Sequence, residues 1–175
     1  LATLRPHAAG DRVGLLLLDT TTGRRDAAIY DRLLGSPPRV ELVASYADWK
    51  AAFATLQEQV DMLLIKQNVT GARDWDQPDA VAFTAAATRI PTGTTAEPMM
   101  RCALVSYLKS PGEQGRWVAG AVRQVLAGPA PAAIPPAAGE QSRVVLNMTL
   151  ARRLGLRFPM SLIERASFVE ELWRP

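Results

Sequence analysis

The fold turns on Arg12-Val13-Gly14-Leu15-Leu16-Leu17-Leu18-Asp19-Thr20-Thr21-Thr22-Gly23. After Arg12 the run stays apolar without alternation. That is the pattern of a strand buried on both faces, as strands of parallel sheets are. The polar turn that follows can cap a helix, which is expected over Arg25 to Leu34 with Ala28, Ile29, Tyr30 and Leu33 inward. Gly35-Ser36-Pro37-Pro38 stops it.

The same unit recurs downstream. Arg39 to Tyr46 reads as a second strand through Val40, Leu42 and Val43, and Asp48 as the N-cap of a helix from Trp49 to Gln59. Trp49, Ala52, Phe53 and Leu56 fall at helical spacing there. Val60 to Ile65 is a third strand, ending in Lys66-Gln67-Asn68-Val69. Asp76 to Thr88 predicts a third helix, with Pro78 tolerated in its first turn. Ile90-Pro91-Thr92 is a short fourth strand that empties into Gly93-Thr94-Thr95. Four strand–helix alternations predict an α/β fold with a doubly wound parallel sheet, right-handed crossovers placing helices on both faces.

Beyond this core, Cys102 to Leu108 is a candidate fifth strand. Ser110-Pro111-Gly112-Glu113 is a capping box opening a helix to Ala127, apolar at Trp117, Val118, Ala121, Val122, Val125 and Leu126. Gly128 to Gly139 is a Pro- and Ala-rich linker. Val144 to Leu146 then forms a strand, Asn147 caps a short helix through Leu150, Ala151 and Leu154, and Gly155 and Pro159 end it. The division expected is an irregular leader over 1–11, an α/β lobe over 12–109, a returning helix and linker over 110–139, and a strand–helix segment over 140–175 docking on the same lobe.

Composition narrows the function classes. Hydrophobic residues at 48% and charged ones at 21% describe a globular chain with one core of ordinary size. The apolar run Val13 to Leu18 is too short to span a bilayer, and Leu1 to Gly10 carries no signal-peptide core. The net charge of +3 comes from scattered arginines lying beside acids, so no nucleic-acid partner is expected. The single Cys102 excludes an internal disulfide.

Nor does a catalytic set assemble. The only histidine, His7, lies in the leader, and Cys102 sits on an apolar run like a small core residue. No Cys or His pair has metal-ligand spacing, so neither a metal nor a cofactor is expected. Gly112-Glu113-Gln114-Gly115 lacks the Lys and glycine count of a phosphate loop. What remains is the crevice beyond the carboxyl ends of the strands, where open parallel sheets bind ligands. Those ends carry Asp19, Thr20 and Thr21, then Gln67 and Asn68, then Thr94, Thr95 and Glu97, which are the candidate ligand-binding residues. Ordinary helix and turn capping would use the same side chains, and both readings stay open at each position.

The stretch Leu146-Asn147-Met148-Thr149-Leu150-Ala151-Arg152-Arg153-Leu154-Gly155-Leu156-Arg157-Phe158-Pro159 also carries a resemblance. An Asn after a hydrophobic strand, a short Ala-containing helix, then Leu-Gly-Leu and a Pro resembles the C-terminal signature of periplasmic substrate-binding proteins of one ABC-transporter family, described as uncharacterised or as the tryptophan/tyrosine type. Ser161-Leu162-Ile163-Glu164-Arg165-Ala166 is similar to that family's closing helix. Ala103-Leu104-Val105-Ser106-Tyr107, Gly115, Val125-Leu126-Ala127-Gly128-Pro129 and Ile134-Pro135 fit its preceding segments in order.

The resemblance implies a type I periplasmic-binding fold, a small polar or aromatic solute (an amino acid among the candidates), a membrane permease as partner and a periplasmic or extracytoplasmic location. It favours Asn68, because a polar pair follows that strand in the family; Gln67 stands where the family has Asp, and Cys102 where it has Gly. Family members have two lobes, and the first, on the order of 100 residues, would precede Arg12. The chain is therefore expected to be a second lobe with its returning segments, either trimmed or a natural short homologue. The alternative is a truncated domain acting as a sensory or protein-interaction module. In either case the apolar face of the 110–127 helix predicts a homodimer.

Overall fold

The computed structural model describes residues 1–66, 70–137 and 139–172. Among these residues seven strands form one sheet: β1 Val13–Leu18, β2 Arg39–Val43, β3 Met62–Ile65, β4 Thr92–Thr94, β5 Val105–Lys109, β6 Ser142–Leu146 and β7 Ala166–Phe168. Their order is β2-β1-β3-β4-β5-β6-β7. Every pair is parallel except β5 with β6, where Lys109 lies opposite Ser142 and Val105 opposite Leu146. The four expected strands are thus parallel neighbours, with β1 buried along its whole length. The fold is α/β and doubly wound.

The helices are α1 Thr21–Leu33, α2 Tyr46–Gln59, α3 Gln77–Ala87, α4 Pro111–Leu126, α5 Met148–Arg153, α6 Met160–Ile163 and α7 Val169–Leu172. Strand β3 shows how the core is divided. Leu63 and Ile65 enter a cluster with Leu16, Trp49, Phe53, Leu56 and Ala80, under α2 and α3. Met62 and Leu64 enter another with Leu4, Val105, Leu146, Leu150, Phe158 and Leu162. Alternating side chains of one strand feed opposite faces of the sheet.

Several boundaries differ from the sequence expectation, each for a local chemical reason. Helix α1 starts at Thr21 rather than Arg25, because the Thr20 side chain accepts the Gly23 amide at 3.0 Å. Its apolar residues are not buried as expected: Ile29 is 43% and Leu33 72% exposed, and only Gly23 is buried. Helix α2 is capped by Ser45, not Asp48. Ser45 Oγ accepts the Asp48 amide at 3.1 Å and donates to Asp48 Oδ2 at 2.7 Å, and this pair of bonds sets the helix start at Tyr46. Strand β4 is displaced from Ile90–Thr92 to Thr92–Thr94, since Pro91 has no amide to donate and only its carbonyl joins the ladder, accepting from Leu63. Strand β5 begins at Val105, three residues after Cys102, because Cys102 N–H is spent on a turn to Met99 and Leu104 N–H on Thr92 Oγ1. Strand β7 was not anticipated, and the closing helix is only Met160–Ile163 before the chain extends.

The C-terminal unit follows its cap chemistry. Asn147 is 5% exposed; its Oδ1 accepts the Leu150 amide at 3.0 Å and its Nδ2 donates to the Arg101 carbonyl at 2.9 Å. Glu170 accepts the Thr149 amide at 3.0 Å, so two side chains satisfy the first turn of α5. At the other end Gly155, at φ +64°, places its own amide on Arg152 O and that of Leu156 on Ala151 O, the paired bonds of a Schellman stop. Arg153 donates from Nε to Thr88 O at 2.9 Å and from Nη2 to Ala86 O, closing the C-terminus of α3.

Candidate functional site

The C-terminal edge of the parallel strands is where chain ends, helix starts and polar side chains meet. After β1, Asp19 and Thr20 are consumed locally. The Arg24 guanidinium forks onto Asp19 at 2.7 and 3.0 Å and holds its carboxyl below the usual carboxylate range, while Thr20 caps α1. Thr21 is exposed on the first turn. For these positions the structure shows capping and an ion pair. Gln67 and Asn68 lie outside the described residues.

After β4 the two threonines part. Thr94 is 4% exposed and its hydroxyl accepts the Ala96 amide at 3.1 Å. Thr95 is exposed and stands between two cavities. One, of about 270 Å³, runs beside α1 and is lined by Leu33, Leu34, Leu64, Val105, Tyr107 and Lys66 among others. The second, of about 710 Å³, is lined by Thr95, Tyr107, Lys109, Glu113, Trp117 and Gln141 among others. Glu97 belongs to neither; it sits 3.5 Å from Arg143 Nη2 beside Pro98 and Met100. Of the six candidates among the described residues, Thr94 and Thr95 line a cavity at this edge, and only Thr95 presents a hydroxyl to the larger one.

Side chains outside the candidate set complete the picture. Lys66, 15% exposed, sends its ammonium to Tyr30 Oη at 3.2 Å, Thr95 Oγ1 at 3.4 Å and Asp26 Oδ2 at 3.6 Å, with the charge 4.8 Å above the Tyr30 ring. Two hydrogen bonds and an ion pair engage this ammonium, so the lysine ties α1 to the strand ends and is not a spare cation. Its bond to Thr95 occupies an acceptor site there and leaves the threonine proton for another group. Tyr107 and Lys109 project from the same side of β5 by the two-residue period, which is the signal that could have found them. Trp117 comes from the second turn of α4 and is 44% exposed. The sequence marks it only as part of an apolar face.

Cys102 and His7 line neither cavity. Cys102 is fully buried, and burial pushes its thiol up to about 11, far from a thiolate nucleophile. His7 packs edge-on to Phe158 at 5.4 Å. Among the described residues no three His, Cys, Asp or Glu side chains converge to hold a metal ion. Among them, too, no helix is long and apolar enough to cross a membrane.

With this geometry in hand the relatives can be placed. Residues 40–170 match the family described as ABC transporter substrate binding protein. No curated protein matches the sequence. Among solved structures, the chain is similar to the ligand-free, open form of CD0873, a substrate binding protein with adhesive properties from Clostridium difficile. The TM-score is 0.71 at 16% identity, covering 97% of this chain and 58% of that one. It is also similar to an ABC domain in complex with L-Trp from Streptococcus pneumonia, with TM-score 0.64, 20% identity, and 95% and 56% of the two chains covered. A conserved domain protein from Vibrio cholerae gives TM-score 0.61 at 20% identity over 95% and 56%. At such identities the likeness is one of fold, and the chain spans a little over half the length of these proteins.

Proposed function

Because this chain belongs to the family of ABC transporter substrate binding proteins, we propose that it binds a small solute without chemical change, at the C-terminal edge of its sheet, for delivery to a membrane permease. The observation that carries this is the cavity of about 710 Å³ where β4, β5 and α4 bring Thr95, Tyr107, Lys109 and Trp117 together. Its size falls within the roughly 300–1,000 Å³ of small-molecule sites, and its walls mix an aromatic face with a few convergent polar groups. A Trp ring stacks flat partners, an ammonium pairs a carboxylate, and the Thr95 hydroxyl supplies direction, that of Tyr107 being bonded to Thr3 Oγ1 at 2.5 Å. An amino-acid-like solute with an aromatic or polar side chain meets all three. The L-Trp held by the Streptococcus neighbour supports that class.

The longer relatives support a further reading of residues 12–109 and 140–175 as one lobe of a two-lobed protein, with residues 110–139 reaching toward the other. The solute would then close between lobes, in an extracytoplasmic compartment. Helix α4 supports this, since it buries none of its residues while Val118, Val122 and Leu126 are 52%, 51% and 82% exposed. The same face supports pairing of two copies through residues 110–127 when the chain stands by itself. Light scattering at micromolar concentration should then return twice the chain mass, and a monomer at that concentration removes the dimer.

The site is tested by calorimetric titration of the chain with aromatic and polar amino acids. Saturable heat is expected from at least one. Lys109→Ala should weaken it about tenfold or more, since a charge-assisted hydrogen bond is worth roughly 1.5–3 kcal/mol. Absence of saturable heat up to millimolar solute, or affinity indifferent to Lys109, overturns the reading.

A further inference from the structure

Apolar packing does not set the direction of α4, which buries none of its residues. What holds it lies in its first turn. Ser110 Oγ accepts the Glu113 amide at 3.3 Å, the usual N-cap bond. In a complete capping box the Glu would reach back to the Ser110 amide. Here it reaches across the chain instead. Glu113 Oε1 accepts the Glu140 amide at 2.8 Å, and its two oxygens accept the Gln141 amide at 3.2 and 3.1 Å. Arg116 Nη2 adds a bond to Gln141 Oε1 at 3.2 Å. The returning backbone passes so close that a Cβ at Gly139 would stand 3.2 Å from Glu113 Oε2. Two successive amides aimed at one carboxylate form an anion-binding concavity, and the anion is supplied by the helix.

Trp117 follows Glu113 by four residues, so both occupy the same face of α4, and both line the larger cavity. We infer that Glu113 is a positioning residue: its carboxylate, clasped by the Glu140 and Gln141 amides, fixes α4 and thereby places Trp117 over Thr95, Tyr107 and Lys109. The use of that placement rests on the reading of this cavity as the solute site; the clasp does not.

The test is the distance distribution between spin labels at Gln124→Cys on α4 and Ala51→Cys on the exposed side of α2, buried Cys102 escaping labelling. The parent should give one narrow distance. Glu113→Ala should widen it to at least about twice that width, with the midpoint of global unfolding unchanged, as for a local opening. Glu113→Gln keeps a carbonyl oxygen for the amides and should restore the narrow distance. A parent already as broad as Glu113→Ala, an alanine variant as narrow as the parent, or a Gln variant as broad as the Ala one overturns the inference. Titration with L-Trp on the same samples separates the two claims. If about a tenth of the alanine variant holds Trp117 in place, its apparent affinity falls about tenfold. If the distances respond but the parent itself gives no heat, the clasp stands and the solute site falls.

Discussion

Trp49→Ala lowers the unfolding free energy by about 3–5 kcal/mol, the usual cost of emptying a large aromatic from a core. Trp49 is 1% exposed and sits among four other rings, with centroids at 5.8 Å to Tyr46, 5.4 Å to Phe53, 5.1 Å to Trp75 and 6.1 Å to Phe83. The pocket cannot collapse, because the neighbours are themselves rigid rings held by the sheet beneath them. Trp49→Phe should cost less than half as much. It keeps most of the ring and removes an indole N–H that finds no acceptor among the described residues, a burial worth roughly 1–3 kcal/mol against the native protein. Denaturant unfolding of both variants reads the difference. A loss under about 1.5 kcal/mol for the alanine variant would mean that the cluster is not the keystone of this face.

The second large effect lies at the starts of β1 and β3. Asp61, whose side chain is 9% exposed, takes Arg12 at three points: its backbone amide at 2.9 Å, Nε at 3.0 Å and Nη2 at 2.9 Å. This clasp closes the start of β1 against β3. The Arg12 guanidinium and amide hold the Asp61 carboxyl below its ordinary value of 3.8. A carboxylate whose folded pKa lies below the unfolded one stabilises the protein above the unfolded value. That contribution fades as pH falls through the lower, folded value. Native stability should therefore decline below about pH 4, and Asp61→Ala should be less stable by about 2–3 kcal/mol at neutral pH with a flatter acid limb. Coincident stabilities for the two proteins from neutral to acid pH would show that the clasp contributes nothing.

What could be read from the sequence was whatever is encoded locally. The unbroken apolar run of β1 marks a strand buried on both faces, and Trp49, Phe53 and Leu56 mark the inner face of α2, by period alone. Asn147, Ser110 and Asp76 declare helix starts because a cap is a contact three residues long. The same logic misplaced the start of α2, where Ser45 and Asp48 are both good caps and only their mutual bond decides. What stayed hidden is set by contacts far along the chain. Three residues of β7 have no period to show, and the exposure of Ile29 and Leu33 depends on what lies beside α1.

The candidate site divides in the same way. Strand ends pointed to Asp19, Thr20, Thr94 and Thr95, yet capping and an ion pair absorb the first three, and which side chain stays available is a matter of tertiary partners. Lys66 was visible as the end of a strand, but its three partners come from α1 and the loop after β4. The bond from Glu113 to Glu140 spans 27 residues, and no local pattern announces it.

Because β5 and β6 are antiparallel neighbours with Lys109 beside Ser142, residues 110–141 leave the sheet and rejoin it at one spot. Topologically they are a detour, and the strands on either side need only a turn to stay paired. Closing even this long a loop costs little more than closing a shorter one, about 0.6 kcal/mol per doubling of length. Such a segment can be lengthened, shortened or exchanged for another with the sheet register intact, so selection on its sequence is separable from selection for the fold.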